Sequence, residues 1–138
     1  MPGSFFDSNV ILYLASSNSA KASRVEQLLA ERGSISVQVL NECANVLRRK
    51  REMPWPNMRV FLLELRQGLD VLPITVELHE TGLRLAERYG FATYDSFIVA
   101  AALAADCDKL WSEDMQDGLI VEKRLRIVNP FGSIPTLA

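Results

Sequence analysis

Residues 94–105, Tyr94-Asp95-Ser96-Phe97-Ile98-Val99-Ala100-Ala101-Ala102-Leu103-Ala104-Ala105, decide the fold. Nine consecutive apolar residues, Phe97 to Ala105, follow the charge of Asp95. Thr93 reads as the cap of a helix over Tyr94 to Ala105, and a helix without a polar face is buried on all sides. It must lie against a sheet. Downstream, Lys109-Leu110-Trp111-Ser112 and Leu125 to Val128 read as strands. Upstream, Ser4-Phe5-Phe6, Ile35-Ser36-Val37 and Asp70 to Ile74 do the same. Helices are expected between them, over Asn9 to Ala15, Ser19 to Arg32 with Gly33 as C-cap, and Gln38 to Arg51 up to the break at Pro54-Trp55-Pro56. Two more follow, Asn57 to Gln67 and a helix from the Thr75 cap to Gly90. Strands joined by crossover helices form a parallel sheet with right-handed connections. The expectation is one α/β domain over residues 1–138, a four- to five-stranded parallel sheet between helical layers. Residues 132–138 are expected to be a frayed tail.

Acidic residues gather at the ends of these elements. Asp7 closes the first strand, Asp95 opens the apolar helix, and Asp114 and Asp117 lie in the turn Ser112-Glu113-Asp114-Met115-Gln116-Asp117-Gly118. Glu42 sits at the border of the apolar face formed by Val39, Leu40, Cys43, Ala44, Val46 and Leu47. Open parallel sheets collect ligands at the carboxyl ends of their strands. Carboxylates converging there repel one another, so a hard cation, Mg²⁺ or Mn²⁺, is the natural partner. Each acid also has a plainer reading: Glu42 as a boundary residue, Asp95 as an acid satisfied by free helix N–H groups, the 112–118 acids as a polar turn. For Asp95 both can hold, one oxygen taking an N–H while the other binds metal. Asn9 can cap the helix after Asp7 or orient the Asp7 carboxylate; capping is taken as its main role, and Ser112 as a supporting residue.

Composition narrows the classes. Apolar residues make up 49% and charged residues 23% of the 138, which excludes a disordered chain. Cys43 and Cys107 lack metal-ligand or CxxC spacing and are read as reduced core residues of a cytoplasmic protein. No apolar run is long enough to span a membrane, and the amino terminus has no signal-peptide pattern. Net charge is −2. Without the five clustered carboxylates, 12 of the 17 acids remain against 15 bases, and four bases are consecutive, Arg48-Arg49-Lys50-Arg51. That run is either a helix end favoured by the dipole or a contact for a nucleic-acid backbone. His79, the only histidine, falls on the apolar half of its helix and is expected to be structural and partly buried; Trp55 is expected to anchor a loop. One such histidine supports no Ser/His/Asp or Cys/His triad, and phosphate-binding glycine loops are missing.

Four motifs carry a family likeness. Phe5-Phe6-Asp7-Ser8-Asn9-Val10-Ile11-Leu12-Tyr13-Leu14, Val39-Leu40-Asn41-Glu42, Tyr94-Asp95-Ser96-Phe97-Ile98-Val99-Ala100-Ala101-Ala102 and the 112–118 turn resemble, in order and spacing, the acidic motifs of PIN domains. Size makes the chain most similar to the VapC toxins of bacterial toxin–antitoxin pairs. The resemblance implies an α/β/α sandwich, Mg²⁺- or Mn²⁺-dependent RNA cleavage, homodimerisation and inhibition by a small antitoxin. It assigns metal binding to Asp7, Glu42, Asp95 and Asp114. Asp117 matches a more variable position. Ser96 and Phe97 depart from many relatives without bearing on substrate.

Such a site would hydrolyse RNA with a metal-activated water, with Arg48, Arg49, Lys50 and Arg51 as candidate backbone contacts. Two rivals follow from the same residues. A phosphoaspartate protein would use Asp7 as nucleophile, but it lacks the accompanying acid pair, lysine or second aspartate. A catalytically silent PIN-like interaction module would use the carboxylates for capping alone. Dimer contacts are expected from the Met58-Phe61-Leu62-Leu65 stripe and the third helix.

Overall fold

A computed structural model of the chain describes residues 3–132. Phe5 and Phe6 have no exposed surface, which places the first strand, β1 (Ser4–Phe6), at the centre of the sheet. The chain continues through α1 (Ser8–Ile11), a 3-10 turn (Leu12–Ala15), α2 (Ser19–Leu29), β2 (Ser34–Ser36), α3 (Val37–Arg49), α4 (Trp55–Gly68) and β3 (Asp70–Leu72). It ends with α5 (Val76–Tyr89), α6 (Thr93–Ala104), β4 (Lys109–Trp111), β5 (Ile120–Val121) and β6 (Leu125–Val128). The strands lie in the order β3-β2-β1-β4-β6-β5. Five pair in parallel, with Phe6 opposite Trp111 in the β1–β4 register. A mostly parallel α/β sheet is what the sequence implies.

The α6 helix is buried along most of its length, Ile98 to Leu103, and touches β2 and β4. Its closest partner is α5. A Cβ on Gly82 would stand 2.3 Å from Phe97 Cδ1, so only glycine lets the two helices approach this far.

Several expectations change. Among the described residues the sheet has six strands, because β5 adds an antiparallel edge to β6 through Glu122 and Lys123, both at positive φ. The second strand stops at Ser36, whose hydroxyl accepts the Val39 N–H and starts α3 one residue earlier. The break at Pro54 is real, but Trp55 already begins α4; it is exposed, with the Arg48 guanidinium 4.3 Å from its ring centroid. Thr75 caps α5 as expected, whereas Thr93 is already helical and Ala92 holds the cap position. His79 is exposed rather than partly buried, lying against the Phe97 ring. The Met58-Phe61-Leu62-Leu65 stripe faces its own core, with Met58 and Leu65 buried and Phe61 and Leu62 packed against it. Cys43 and Cys107 are free and buried. Except for Gly132, the tail over 132–138 lies outside the described residues. Among those described, no helix is long and apolar enough to cross a membrane.

Candidate functional site

The winding of the sheet reverses between β1 and β4, and open α/β sheets bind ligands just beyond the strand ends at such a point. Asp7 and Ser112 leave the sheet there, one after each strand. The Asp7 N–H donates to the Trp111 carbonyl (3.0 Å), tying the two exits together. Asp7, only 5% exposed, caps α1: its Oδ1 accepts the Ser8 N–H at 2.7 Å. Its Oδ2 accepts from the Ser112 hydroxyl at 2.9 Å and from Asn9 Nδ2 at 3.4 Å. Capping therefore falls to Asp7. Asn9 instead takes the orienting role, since its Oδ1 also accepts the Glu113 N–H at 3.2 Å.

Glu42 arrives from α3, half-buried at the border of its apolar face. The Ser8 hydroxyl donates to Oε1 (2.9 Å) and Gln38 Nε2 to Oε2 (3.2 Å). Gln38 also donates to the Tyr94 carbonyl at 3.0 Å, which ties α3 to the start of α6, beside Asp95. Asp95 forms no hydrogen bond with the free N–H groups of its helix among the described residues, so its expected satisfaction there is not met. Asp114 is exposed on the turn after β4. Asp117 goes elsewhere: its Oδ1 accepts the Asn129 N–H at 2.8 Å, fastening the turn to the end of β6.

The acids feel one another. Burial lifts the Asp7 carboxyl from 3.8 to about 6, with the charges of Glu42 and Asp95 adding to the rise; hydrogen bonds from Ser112 and Ser8 oppose it. Asp95 is also raised, first by burial and then by Glu42 and Asp114. Asp7, Glu42, Asp95 and Asp114 are thus linked by their charges, Asp114 through Asp95. Among the described residues no lysine or arginine forms a salt bridge with any of the four. Neither do three or more of these groups close to metal-binding distance of a common point. The donor set, all carboxylate oxygens without a paired cation, nevertheless fits a hard divalent ion by its chemistry.

The basic run divides. Arg51 donates to the Leu12 and Ala15 carbonyls (3.0 and 3.2 Å), and Arg48 to the Met53 carbonyl (2.8 Å). Both are occupied with local structure. Arg49 and Lys50 are exposed, and Arg49, seven residues after Glu42, shares its helical face about 10 Å along the axis. Neither Ser8 nor Gln38 stands out as a site residue in the sequence. Gln38 was findable, being four residues before Glu42 and so on the same face. The Ser8 contact crosses 34 residues and has no local signal.

A family model for the PIN domain matches residues 4–117. No curated protein sequence matches the chain. Among solved structures, a toxin–antitoxin complex from Klebsiella pneumoniae is similar, with TM-score 0.71 and 18% identity over 93% of this chain and 98% of that one. Mycobacterium tuberculosis VapC20, a toxin that cleaves the sarcin–ricin loop, gives 0.66 and 18% over 81% of this chain and 90% of its own. VapBC2 from Rickettsia felis, solved on a DNA fragment from its promoter, gives 0.60 and 16% over 80% and 87%. At these identities the likeness is one of fold.

Proposed function

Given that match over residues 4–117, the chain belongs to the PIN domain family, and we propose that it is a divalent-metal-dependent endoribonuclease, the toxin of a toxin–antitoxin pair. One observation carries the reading. Asp7 is buried at the switch point with its carboxyl raised to about 6, facing two like charges and, among the described residues, no paired base. A fold retains such a cluster at a cost, and a cation that binds the native state offsets it.

Asp7, Glu42, Asp95 and Asp114 would hold the ion, with waters completing its shell. When bound, Mg²⁺ or Mn²⁺ would polarise the scissile phosphate and lower the pKa of the attacking water. The protein's own part is orientation. Ser112 and the Ser8 N–H fix the two oxygens of Asp7, while Ser8 and Gln38 do the same for Glu42. Arg49 and Lys50 are the members of the basic run free to meet phosphates along the strand; Asp117 supports the turn rather than the ion.

Partners belong to the same proposal. An acidic site suits an arginine from a small antitoxin, whose planar fork pairs with carboxylates. Met58 and Leu65 of the stripe are taken up by the core, which leaves the partly exposed Phe61 and Leu62 for a second copy of the chain. Exposed Val60 and Leu63 on α4, or Ile74, Val76, Leu83 and Tyr94 around α5 and α6, offer further apolar surface. Light scattering should then give twice 15.5 kDa.

The open spacing of the acids is the feature that favours a silent interaction module. Incubation with single-stranded RNA separates the two. The nuclease cuts internally with Mg²⁺ or Mn²⁺, stops in EDTA and is lost in Asp7→Ala. The module never cuts, and its melting temperature does not respond to Mn²⁺.

A further inference from the structure

Glu113 stands between Ser112 and Asp114, in the acidic turn, yet its carboxylate is committed away from those acids. Its Oε1 accepts the Tyr13 hydroxyl at 2.6 Å, and its Oε2 pairs with the Lys21 ammonium. Lys21 also donates to the Tyr13 hydroxyl at 3.2 Å and lies 4.7 and 4.9 Å from the ring centroids of Tyr13 and Phe131. Those two rings meet edge to face at 4.9 Å. The Glu113 N–H is held as well, by Asn9 Oδ1. Lys21 and Glu113 are mostly buried, their side chains 17% and 25% exposed. Asp114, the next residue, is exposed and forms no hydrogen bond among the described residues, although it faces the like charge of Asp95.

We propose that Tyr13 and Lys21, by gripping Glu113, are positioning residues that hold the Asp114 carboxylate beside Asp95 for the divalent cation. The proposal rests on the metal-site reading above. Asn9 contacts Asp7 as well as Glu113, so the clamp fastens the turn to the same short segment that carries Asp7. Without it, mutual repulsion of the acids favours Asp114 swinging outward, and the ion loses a ligand.

Charge alone predicts the reverse. Removing a lysine near an anionic site strengthens cation binding; removing a clamp weakens it. Calorimetric titration of the full chain with Mn²⁺ therefore decides by sign. Lys21→Met and Tyr13→Phe should each weaken Mn²⁺ on the order of tenfold, the usual effect of losing a group that orients a ligand. Lys21→Arg, which keeps a cation for Glu113, should bind Mn²⁺ more tightly than Lys21→Met. In an Asp114→Asn background, Lys21→Met should change affinity by no more than about twofold, because the arm it positions is already gone. Tyr13→Phe deletes one hydroxyl and decides the matter alone if Lys21→Met does not fold. Wild-type or tighter Mn²⁺ binding in Lys21→Met or Tyr13→Phe overturns the clamp. So does equal weakening with and without Asp114. A wild-type chain that binds no Mn²⁺ overturns the metal-site reading itself, and the clamp with it.

Discussion

Burial is the largest force acting on the Asp7 carboxyl, and it holds the group near 6 against an ordinary 3.8. An acid raised in the native state binds its proton more tightly there than in the unfolded chain. Its stabilising contribution in metal-free buffer is therefore full below about pH 4 and is lost as pH rises through about 6. A shift of this size corresponds to roughly 3 kcal/mol at most. In EDTA, the melting temperature of the wild type should fall between pH 4 and 7, while Asp7→Asn should flatten that slope and melt higher at pH 7.5. Adding Mn²⁺ should reverse the order, because the ion stabilises only the protein that binds it. An Asp7→Asn protein that melts lower than wild type in EDTA at pH 7.5 would refute the assignment of strain to this residue. Asp7, Glu42 and Asp95 could be singled out from sequence because strand ends and helix faces are local properties. Asn9 and Asp117 could not be placed, because their partners follow neighbouring strands whose pairing the local sequence does not show. Asn9 meets the turn after β4, and Asp117 meets the backbone after β6.

Elements place these residues through their packing, and the α5–α6 pair is the tightest example. Gly82 lets Phe97 seat against α5, and Phe97 follows Asp95 by two residues in α6. Alanine would gain up to about 1 kcal/mol of helix propensity. Its Cβ would also overlap the Phe97 ring, and overpacking of this kind costs about 1–3 kcal/mol. Gly82→Ala should therefore lower the urea midpoint at unchanged slope and weaken the Mn²⁺ response, since α6 must shift to make room. A midpoint equal to or above wild type would show that the ring moves freely. The alternation of strands and helices was readable, because Gly33, Pro54, Thr75 and Gly90 punctuate it with local backbone chemistry. What escaped was short or doubly signalled. β5 has two residues and turns through Glu122-Lys123 rather than a glycine, and Ser36 serves both a strand end and a helix cap.

At the scale of the molecule, the reversal of winding between β1 and β4 brings Asp7 and Ser112 together, and α3 and α6 deliver Glu42 and Asp95 beside them. The parallel direction of five of the strands follows from crossover rules that the sequence pattern invokes, whereas their order does not. The surface available for a partner does not, because an apolar stripe such as Met58 and Leu65 looks the same whether it faces a partner or its own core. The chemistry is decided by the ends of the RNA products. Cleavage through the ribose 2′-OH calls on a general base and acid and leaves a 2′,3′-cyclic phosphate. His79, the only histidine, lies exposed against Phe97 on α5, and its imidazole makes no hydrogen bond to the acids among the described residues. Attack by a metal-activated water needs no 2′-OH. Mapping the ends of RNA cut by the purified chain in Mg²⁺ or Mn²⁺ should show 5′-phosphates and 3′-hydroxyls, retained in His79→Ala and lost in Asp7→Ala. Cyclic phosphates, or cutting undiminished in EDTA, would contradict the account.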